Sequence, residues 1–141
     1  MVSITFHGGV GEVGGNRILI EDGDVKLWLD FGRSFTAERR FYAGWLQPRG
    51  HSQLMDLLEF DLIPPLRGLY AQHHLEGSPI PYEEAHYDAV FISHAHADHV
   101  DYVRFLDSSI PIYCGSGTKL FLEASETVGH MDYGEHLYKT F

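Results

Sequence analysis

The sequence predicts an α/β protein. Apolar runs of the β-type occupy the first 31 residues, a strand, helix, strand, helix order begins near residue 87, and an irregular stretch lies between these regions. Such alternation along a chain is typical of parallel strands covered by helices. With 141 residues, the chain can bury roughly two thirds of its unfolded surface and needs no disulfide or structural metal merely to fold.

Three strands are predicted near the N-terminus, at 2–7, 16–21 and 25–31, from their apolar, partly alternating residues. Asp22-Gly23 between the last two predicts a type I′ hairpin turn, whose positive φ these residues tolerate. Residues 9–14, Gly-Val-Gly-Glu-Val-Gly, match the letters of a dinucleotide-binding pattern, but that pattern must open a helix. Here a strand follows, which favours a tight glycine turn near the histidine-rich loop described below; its N–H groups could contact a substrate phosphate.

Residues 33–85 are predicted to be a long irregular excursion rather than a separate domain. The segment holds five of the six prolines, and only 52–60 has helical spacing, with Leu54, Leu57 and Leu58 on one face. It has too few apolar residues for a core of its own. Regular structure resumes with strands at 87–93 and 110–114 and helices at 100–106 and 117–126, the last capped by Ser116.

The basic residues of the excursion allow two interpretations. Arginines alternate there with aromatic residues: Arg33, Arg39, Arg40 and Arg49 with Phe35, Phe41, Tyr42 and Trp45. Guanidinium groups that contact phosphates, beside rings that contact bases, form a surface for single-stranded nucleic acid. The alternative is a loop pinned by its aromatic residues with the arginines in solvent.

Composition narrows the function classes. The chain has 20 acidic and 10 basic residues, a net charge of −10, and one cysteine, which excludes a disulfide framework. No apolar run approaches the roughly 20 residues of a membrane span, so we expect no membrane association and a cytoplasmic location. The negative charge disfavours broad nonspecific binding of nucleic acid. The chain contains ten histidines, which stand out in its composition. Histidine is the commonest metal ligand, so the positions of these residues bear directly on function.

Four metal-ligating side chains follow the predicted strand 87–93 within six residues: His94, His96, Asp98 and His99. In an extended loop, His94 and His96 point to the same side and can share one metal, whereas Asp98 and His99 can face a second one. Imidazole and carboxylate donors suit zinc, manganese or iron rather than a structural thiolate site. The alternative is a solvated histidine-rich loop. His51, His73, His74 and His86 lack ligand spacing and are predicted to be surface or packing residues.

The motif 94–99, His-Ala-His-Ala-Asp-His, resembles the H-x-H-x-D-H signature of the metallo-β-lactamase superfamily. Residues 27–32, Leu-Trp-Leu-Asp-Phe-Gly, are similar to the strand that ends in the family's first-motif aspartate, which implies that Asp30 orients a ligand. The glycine-rich residues 7–16 resemble the opening of the ribonuclease J and cleavage-and-polyadenylation-factor branch. The resemblance covers nearly the whole chain.

The resemblance implies the N-terminal half of an αββα metallo-β-lactamase sandwich, with 33–85 as an insertion between the first two motifs. Residues 1–141 would form a single partial domain, and the downstream half, with its further histidine, bridging aspartate and last histidine, would be absent. His130 and His136 are the only later histidines. Neither follows a β-run, so both are expected to be surface residues rather than ligands.

The implied function is metal-dependent hydrolysis, with the phosphodiester bonds of single-stranded RNA as the expected substrate. The complete site implies two zinc ions, one on His94 and His96 and the other on Asp98 and His99, with manganese or iron as alternatives. Asp98 would also accept a hydrogen bond or shuttle a proton, as the catalytic residue. Arg39 and Arg40 are the candidate substrate contacts.

Two alternatives remain. In one, the hydrolase acts on a thioester, lactone or other small molecule. In the other, the chain is a non-catalytic half-domain that binds metal loosely or pairs with another chain. The chain alone is expected to be inactive and, with part of its sheet uncovered, to self-associate.

Overall fold

The computed structural model describes residues 1–47, 49, 53–129 and 138–141. Within these residues, six strands form one mixed sheet in which they lie side by side in chain order. The strands are β1 (Val2–Phe6), β2 (Arg17–Asp22), β3 (Val25–Phe31), β4 (Ala89–Ile92), β5 (Ile112–Cys114) and β6 (Tyr138–Thr140). β1, β2 and β3 pair antiparallel, and β3 to β6 pair parallel.

Four α-helices accompany the sheet in the described part of the chain. They are α1 (Phe35–Glu38), α2 (Gln53–Glu59), α3 (Ala97–Val100) and α4 (Ser116–Thr127), and short 3₁₀ turns lie at Gln72–His74 and Val103–Phe105. The predicted α/β class is therefore confirmed. None of the helices described is long and apolar enough to cross a membrane.

The N-terminal strands lie within one residue of their predicted bounds, but the hairpin differs from the prediction. β2 ends at Asp22 and β3 begins at Val25, so Gly23-Asp24 forms the loop. Gly23 has a φ of +61°, whereas Asp24 is not among the residues of positive φ. The predicted type I′ turn is wrong, because that turn needs positive φ at both central residues; positive φ at the first alone is typical of type II′.

The predicted helix at 100–106 is wrong in position and length. α3 starts at Ala97 and ends at Val100, and a 3₁₀ turn follows. The helix stops because the N–H of Tyr102 donates to the carbonyl oxygen of Phe31, at 3.1 Å, instead of continuing the helical pattern. Gly115, not Ser116, is the N-cap of α4. β6, formed on the edge of β5, is too short to show a sequence period.

Buried side chains form one continuous row across five strands: Leu19, Trp28, Val90, Ile112 and Tyr138. Apolar residues of the excursion join the same buried cluster, among them Leu54, Leu57 and Leu58 of α2. The predicted start of that helix at Ser52 lies outside the described residues. The excursion therefore contributes to the core that the strands build.

The neighbouring row of the sheet is much less buried. Ile18 is paired with Leu29, Leu29 with Phe91, and Phe91 with Tyr113. Paired residues lie on the same face of a sheet. Leu29 is 37% exposed, and Phe6, which pairs with Ile18, is 58% exposed. This apolar row is called the open face below.

Candidate metal centre

The histidine motif lies where β4 ends and α3 begins. His94 follows the strand after Ser93, and His96 is the N-cap of α3. The N–H groups of His99 and Val100 both donate to the carbonyl oxygen of His96, at 2.9 and 3.1 Å. Asp98 and His99 therefore occupy the first turn of the helix, beside the strand end that carries His94.

Backbone hydrogen bonds fasten this turn to the ends of two other strands. The N–H of Asn16, just before β2, donates to the carbonyl oxygen of Asp98, and the N–H of Arg33, just after β3, donates to that of Ala97, each at 3.1 Å. The approach is so close that a Cβ on Gly32 would lie 1.9 Å from the Asp98 carbonyl oxygen and 2.3 Å from the nitrogen of His99. Only glycine fits at position 32.

The glycine-rich segment connects β1 to β2 and passes beside the motif. Gly14 has a φ of +85°, and a Cβ there would lie 2.9 Å from the Cβ of Asp98. Because the segment joins two antiparallel strands and opens no helix, the dinucleotide interpretation is excluded.

Three N–H groups of this segment have protein acceptors and are not free for a substrate phosphate. Gly9 donates to the Glu12 carboxylate at 2.9 Å, and Val13 donates to the hydroxyl of Thr36 at 3.2 Å. Gly15 donates to the carbonyl oxygen of Arg33 at 2.7 Å. For the other N–H groups of the segment, contact with a substrate phosphate stays a prediction.

Three imidazoles lie against one another in the motif. His94 Nε2 is 3.0 Å from His96 Nδ1, and the ring centroids of His94 and His99 are 4.0 Å apart. Asp98 Oδ2 lies 3.4 Å from His99 Nε2. The four side chains named by the sequence pattern are therefore neighbours in space.

Asp30 holds the ring of His99 in a defined orientation. Its carboxylate accepts from the N–H of Ser93 at 2.7 Å, from the hydroxyl of Ser93 at 2.9 Å, and from His99 Nδ1 at 2.8 Å. On the other side, the amide Nδ2 of Asn16 lies 3.2 Å from His99 Nε2. Since carboxylate oxygens only accept and amide nitrogens only donate, both contacts require the proton on Nδ1 and a lone pair on Nε2.

The backbone at Asp30 is unusual, with a φ of +58° immediately before the end of β3. Such values are uncommon outside glycine, and aspartate and asparagine tolerate them best. This conformation accompanies a carboxylate that faces Ser93 and His99 rather than solvent, since Asp30 is 8% exposed.

The donor set fits a divalent cation in its chemistry. Imidazole and carboxylate groups suit zinc, manganese or iron, and a carboxylate that bonds the far nitrogen of a histidine is the usual partner of a metal-bound imidazole. Two nitrogens on one tetrahedral zinc lie roughly 3.3 Å apart, close to the 3.0 Å between His94 Nε2 and His96 Nδ1.

The side chains are not arranged around a common point. Across the described ranges, no three histidine, cysteine, aspartate or glutamate side chains have the geometry of a formed metal site. Cation binding would have to replace the His94–His96 contact, so the chemistry fits while the arrangement must adjust.

Arg17 is a supporting residue that the sequence analysis missed. Its guanidinium donates to the carbonyl oxygen of Gly32 at 2.7 Å and to that of His7 at 3.1 Å, which ties the ends of β1 and β3 together. Burial lowers the pKa of Arg17 from its ordinary value. An arginine at an inward position of an apolar strand was the available signal, because a buried arginine needs several acceptors.

The four arginines at positions 33, 39, 40 and 49 differ in their contacts, two being paired and two exposed. Arg33 forms ion pairs with Glu38 and Asp101, and Arg49 pairs with Asp56. Arg39 and Arg40, the candidate substrate contacts, have exposed side chains next to the end of α1. The aromatic residues also divide, since Phe41 stacks on Phe60 at 4.4 Å while Trp45 is 87% exposed.

Six further histidines, at positions 51, 73, 74, 86, 130 and 136, either do not have the geometry of metal ligands or lie outside the described residues. His73 is exposed in a 3₁₀ turn, His74 Nε2 lies 3.0 Å from the carbonyl oxygen of Arg104, and His86 stacks on Tyr87. His51, His130 and His136 lie outside the described residues.

Replacing Asp30 with asparagine should weaken zinc binding about 10- to 100-fold, the usual effect of losing a carboxylate that orients a ligand. Asparagine keeps the size and tolerates the positive φ, but its amide group cannot replace the two-oxygen acceptor shared by Ser93 and His99. Calorimetric titration with zinc measures the effect, and an exposed hairpin variant, Asp24→Asn, is the control. An unchanged affinity would show that Asp30 does not orient a ligand.

Comparison with known proteins gives structural neighbours only. No family model and no curated protein matches the chain. The chain is similar to a protein of unknown function from Enterococcus faecalis V583, with 26% sequence identity and a TM-score of 0.72, over 96% of this chain and 33% of that one. It is also similar to human tRNase Z, short form (ELAC1), with 14% identity and a TM-score of 0.42, over 99% of this chain and 43% of that one.

The first likeness supports the fold described above, and the second is too low in TM-score to support a conclusion. The chain spans about a third of the length of the Enterococcus protein. Any activity of a whole protein that contains this sequence is therefore a matter for proposal.

Proposed function

We propose that this chain supplies metal ligands and a catalytic carboxylate for a hydrolase of the metallo-β-lactamase type, with RNA phosphodiesters as substrate. One observation carries the proposal: the Asp30 carboxylate lies 2.8 Å from His99 Nδ1, which leaves on Nε2 the lone pair that a metal needs, now facing the Asn16 amide, beside His94, His96 and Asp98. A solvated histidine-rich loop gives no reason for a buried carboxylate with positive φ behind one imidazole. We therefore favour the metal interpretation, within the N-terminal half of an αββα sandwich.

His94 and His96 would hold one divalent cation, and Asp98 and His99 a second, with zinc favoured over manganese or iron by the imidazole content. Bound cations supply Lewis-acid polarisation of the scissile group and lower the pKa of water. Asp98 is placed to accept a proton, because its carboxylate stands in the first turn of α3 beside His99 Nε2. The backbone bonds from Asn16 and Arg33 hold that turn in place.

RNA is favoured as substrate by the exposed groups of the excursion. Arg39, Arg40 and Trp45 are all exposed within seven positions, and such cations and rings contact phosphates and bases in single strands. Small-molecule hydrolysis of a thioester or lactone is the second candidate, because the net charge of −10 makes most of the surface unfavourable for a polyanion.

The natural full-length protein should cleave single-stranded RNA in a chelator-sensitive way, and Asp98→Asn should lower turnover about 100-fold, since it removes a charged group where charge develops. Gel analysis of end-labelled RNA measures cleavage, with Asp24→Asn as the matched control. Cleavage of a thioester but not of RNA would move the substrate to the second candidate. Cleavage that persists with chelator and in Asp98→Asn would overturn the mechanism.

Self-association remains a prediction, and the open face is the surface that would mediate it. Ile4 lies two residues from Phe6 in β1 and therefore on the same side of the sheet. These two side chains are 57% and 58% exposed, and exposed apolar area of this kind favours association. Sedimentation velocity should show oligomers at high concentration, and Ile4→Lys with Phe6→Lys should shift them towards monomer. Leu120→Lys with Phe121→Lys, on exposed α4 positions, is the control. A stable monomer of the natural chain at high concentration would contradict the prediction.

A further inference from the structure

The imidazole of His99 has a polar partner on each side. A carboxylate oxygen of Asp30 lies 2.8 Å from Nδ1, and the side-chain amide nitrogen of Asn16 lies 3.2 Å from Nε2. With the proton on Nδ1, the Asn16 amide donates to the lone pair on Nε2. His99 would offer the same lone pair to a cation, so the amide hydrogen and the cation need the same position.

The side-chain amide of Asn16 has a defined orientation. Its nitrogen also lies 3.2 Å from the carbonyl oxygen of Asp98. A side-chain amide nitrogen carries two hydrogens, so one can point to this carbonyl oxygen and the other to His99. The amide oxygen lies against Gly9, where a Cβ would come within 2.8 Å of it. Both ends of the amide group therefore have close neighbours.

The backbone of Asn16 is held independently of its side chain. Its N–H donates to the carbonyl oxygen of Asp98, and its own carbonyl oxygen accepts from the N–H of Gly32, each at 3.1 Å. Rotation of the side chain can therefore release His99 while these backbone bonds, and with them the first turn of α3, stay in place.

A second acceptor faces the same nitrogen of His99. Asp98 Oδ2 lies 3.4 Å from Nε2, and a carboxylate oxygen, like the lone pair on Nε2, accepts hydrogen bonds without donating one. Two such groups repel each other unless a donor or a cation lies beside them. In the metal-free chain the Asn16 amide supplies that donor, whereas a divalent cation would attract both groups more strongly.

We propose, on the basis of the function proposed above, that Asn16 is a positioning residue that competes with a divalent cation for His99. In the metal-free chain, its amide hydrogen occupies Nε2 and holds the ring beside Asp98. A cation bound by Asp98 and His99 displaces this hydrogen, and the backbone bonds of Asn16 remain. The affinity for the cation is therefore lower than the affinity that the same ligands would have without Asn16.

Asn16→Ala should raise the zinc affinity of the chain about 2- to 10-fold, which corresponds to one intramolecular hydrogen bond exchanged for a bond to water. The expected direction is opposite to that for Asp30→Asn, although both residues contact the same imidazole. A general loosening of the site would weaken zinc binding in both variants, so the opposite signs separate competition from a structural role. Calorimetric titration measures the affinities, and Gln72→Ala, which removes an exposed carboxamide outside the motif, is the control.

Asn16 is the single asparagine of the sequence, which provides a direct spectroscopic readout. Protein labelled with ¹⁵N-asparagine shows one side-chain amide group by NMR, with a separate resonance for each of its two hydrogens. We expect saturating zinc to move the resonance of the hydrogen that points to His99 towards the position of a free carboxamide. This measurement uses the natural chain, so it remains decisive if thermal unfolding shows that Asn16→Ala does not fold.

The outcomes separate the competition from the proposed hydrolase function. Saturable zinc binding with an equal or lower affinity in folded Asn16→Ala, or with amide resonances that do not respond to zinc, would overturn the competition and leave the hydrolase function standing. Zinc binding that is absent from both the natural chain and folded Asn16→Ala would overturn both proposals. Binding that is present only in Asn16→Ala would support the competition.

Discussion

Gly32→Ala should destabilise the chain by about 3 kcal/mol or more, the upper range for overpacking a buried position. The added Cβ would lie 1.9 Å from the carbonyl oxygen of Asp98, 2.0 Å from its carbonyl carbon and 2.3 Å from the nitrogen of His99. All three are backbone atoms, so no side-chain rotation relieves the contact. The first turn of α3 must move away from β3, and Asp98 and His99 must move with it.

Urea unfolding of the natural chain and the variant measures this effect, and Gly117→Ala provides a matched control. No heavy atom lies within 4 Å of a Cβ built at Gly117, which stands inside α4. Alanine there should be neutral or stabilise the chain by up to about 1 kcal/mol. If the free energy of unfolding of Gly32→Ala is within about 0.5 kcal/mol of that of the natural chain, α3 does not pack on β3 as described.

The sequence was most informative about the N-terminal strands and least informative about the secondary structure that follows the histidine motif. The strand at 25–31 was predicted with its observed bounds, because the apolar run is flanked by a turn signal and a glycine. The helix predicted at 100–106 failed because a tertiary hydrogen bond from Tyr102 to Phe31 overrides local periodicity. The edge strand β6 is formed by pairing with β5, which no local pattern encodes.

For the candidate site, residue types and spacing identified His94, His96, Asp98 and His99, and the resemblance to a known family added Asp30. The structure brings these five side chains together, although their roles remain predictions. The contributions of Asn16, Ser93 and Arg17 were missed, because each acts through a hydrogen bond between segments distant in sequence or through its backbone neighbours. Sequence spacing carries no information about such contacts.

Replacing His94 and His96 together with alanine should lower zinc affinity by more than about a hundredfold. Structural zinc sites with four ligands have a binding free energy of about 10–16 kcal/mol, so each ligand contributes roughly 3 kcal/mol. Two ligands therefore account for most of the affinity of a partial site. The natural chain itself should bind zinc more weakly than a complete two-metal site, since the motif offers four ligands. Asp98 and His99 alone should retain weak binding at most.

Calorimetric titration with zinc tests the central claim most directly, and His73→Ala with His86→Ala is the matched control. Both control imidazoles are exposed and lie outside the motif. Thermal unfolding of both double variants checks that they remain folded. We expect saturable binding in the natural chain and in the control, and its loss in His94→Ala with His96→Ala. Equal zinc affinity in all three proteins would show that the motif is not the metal site.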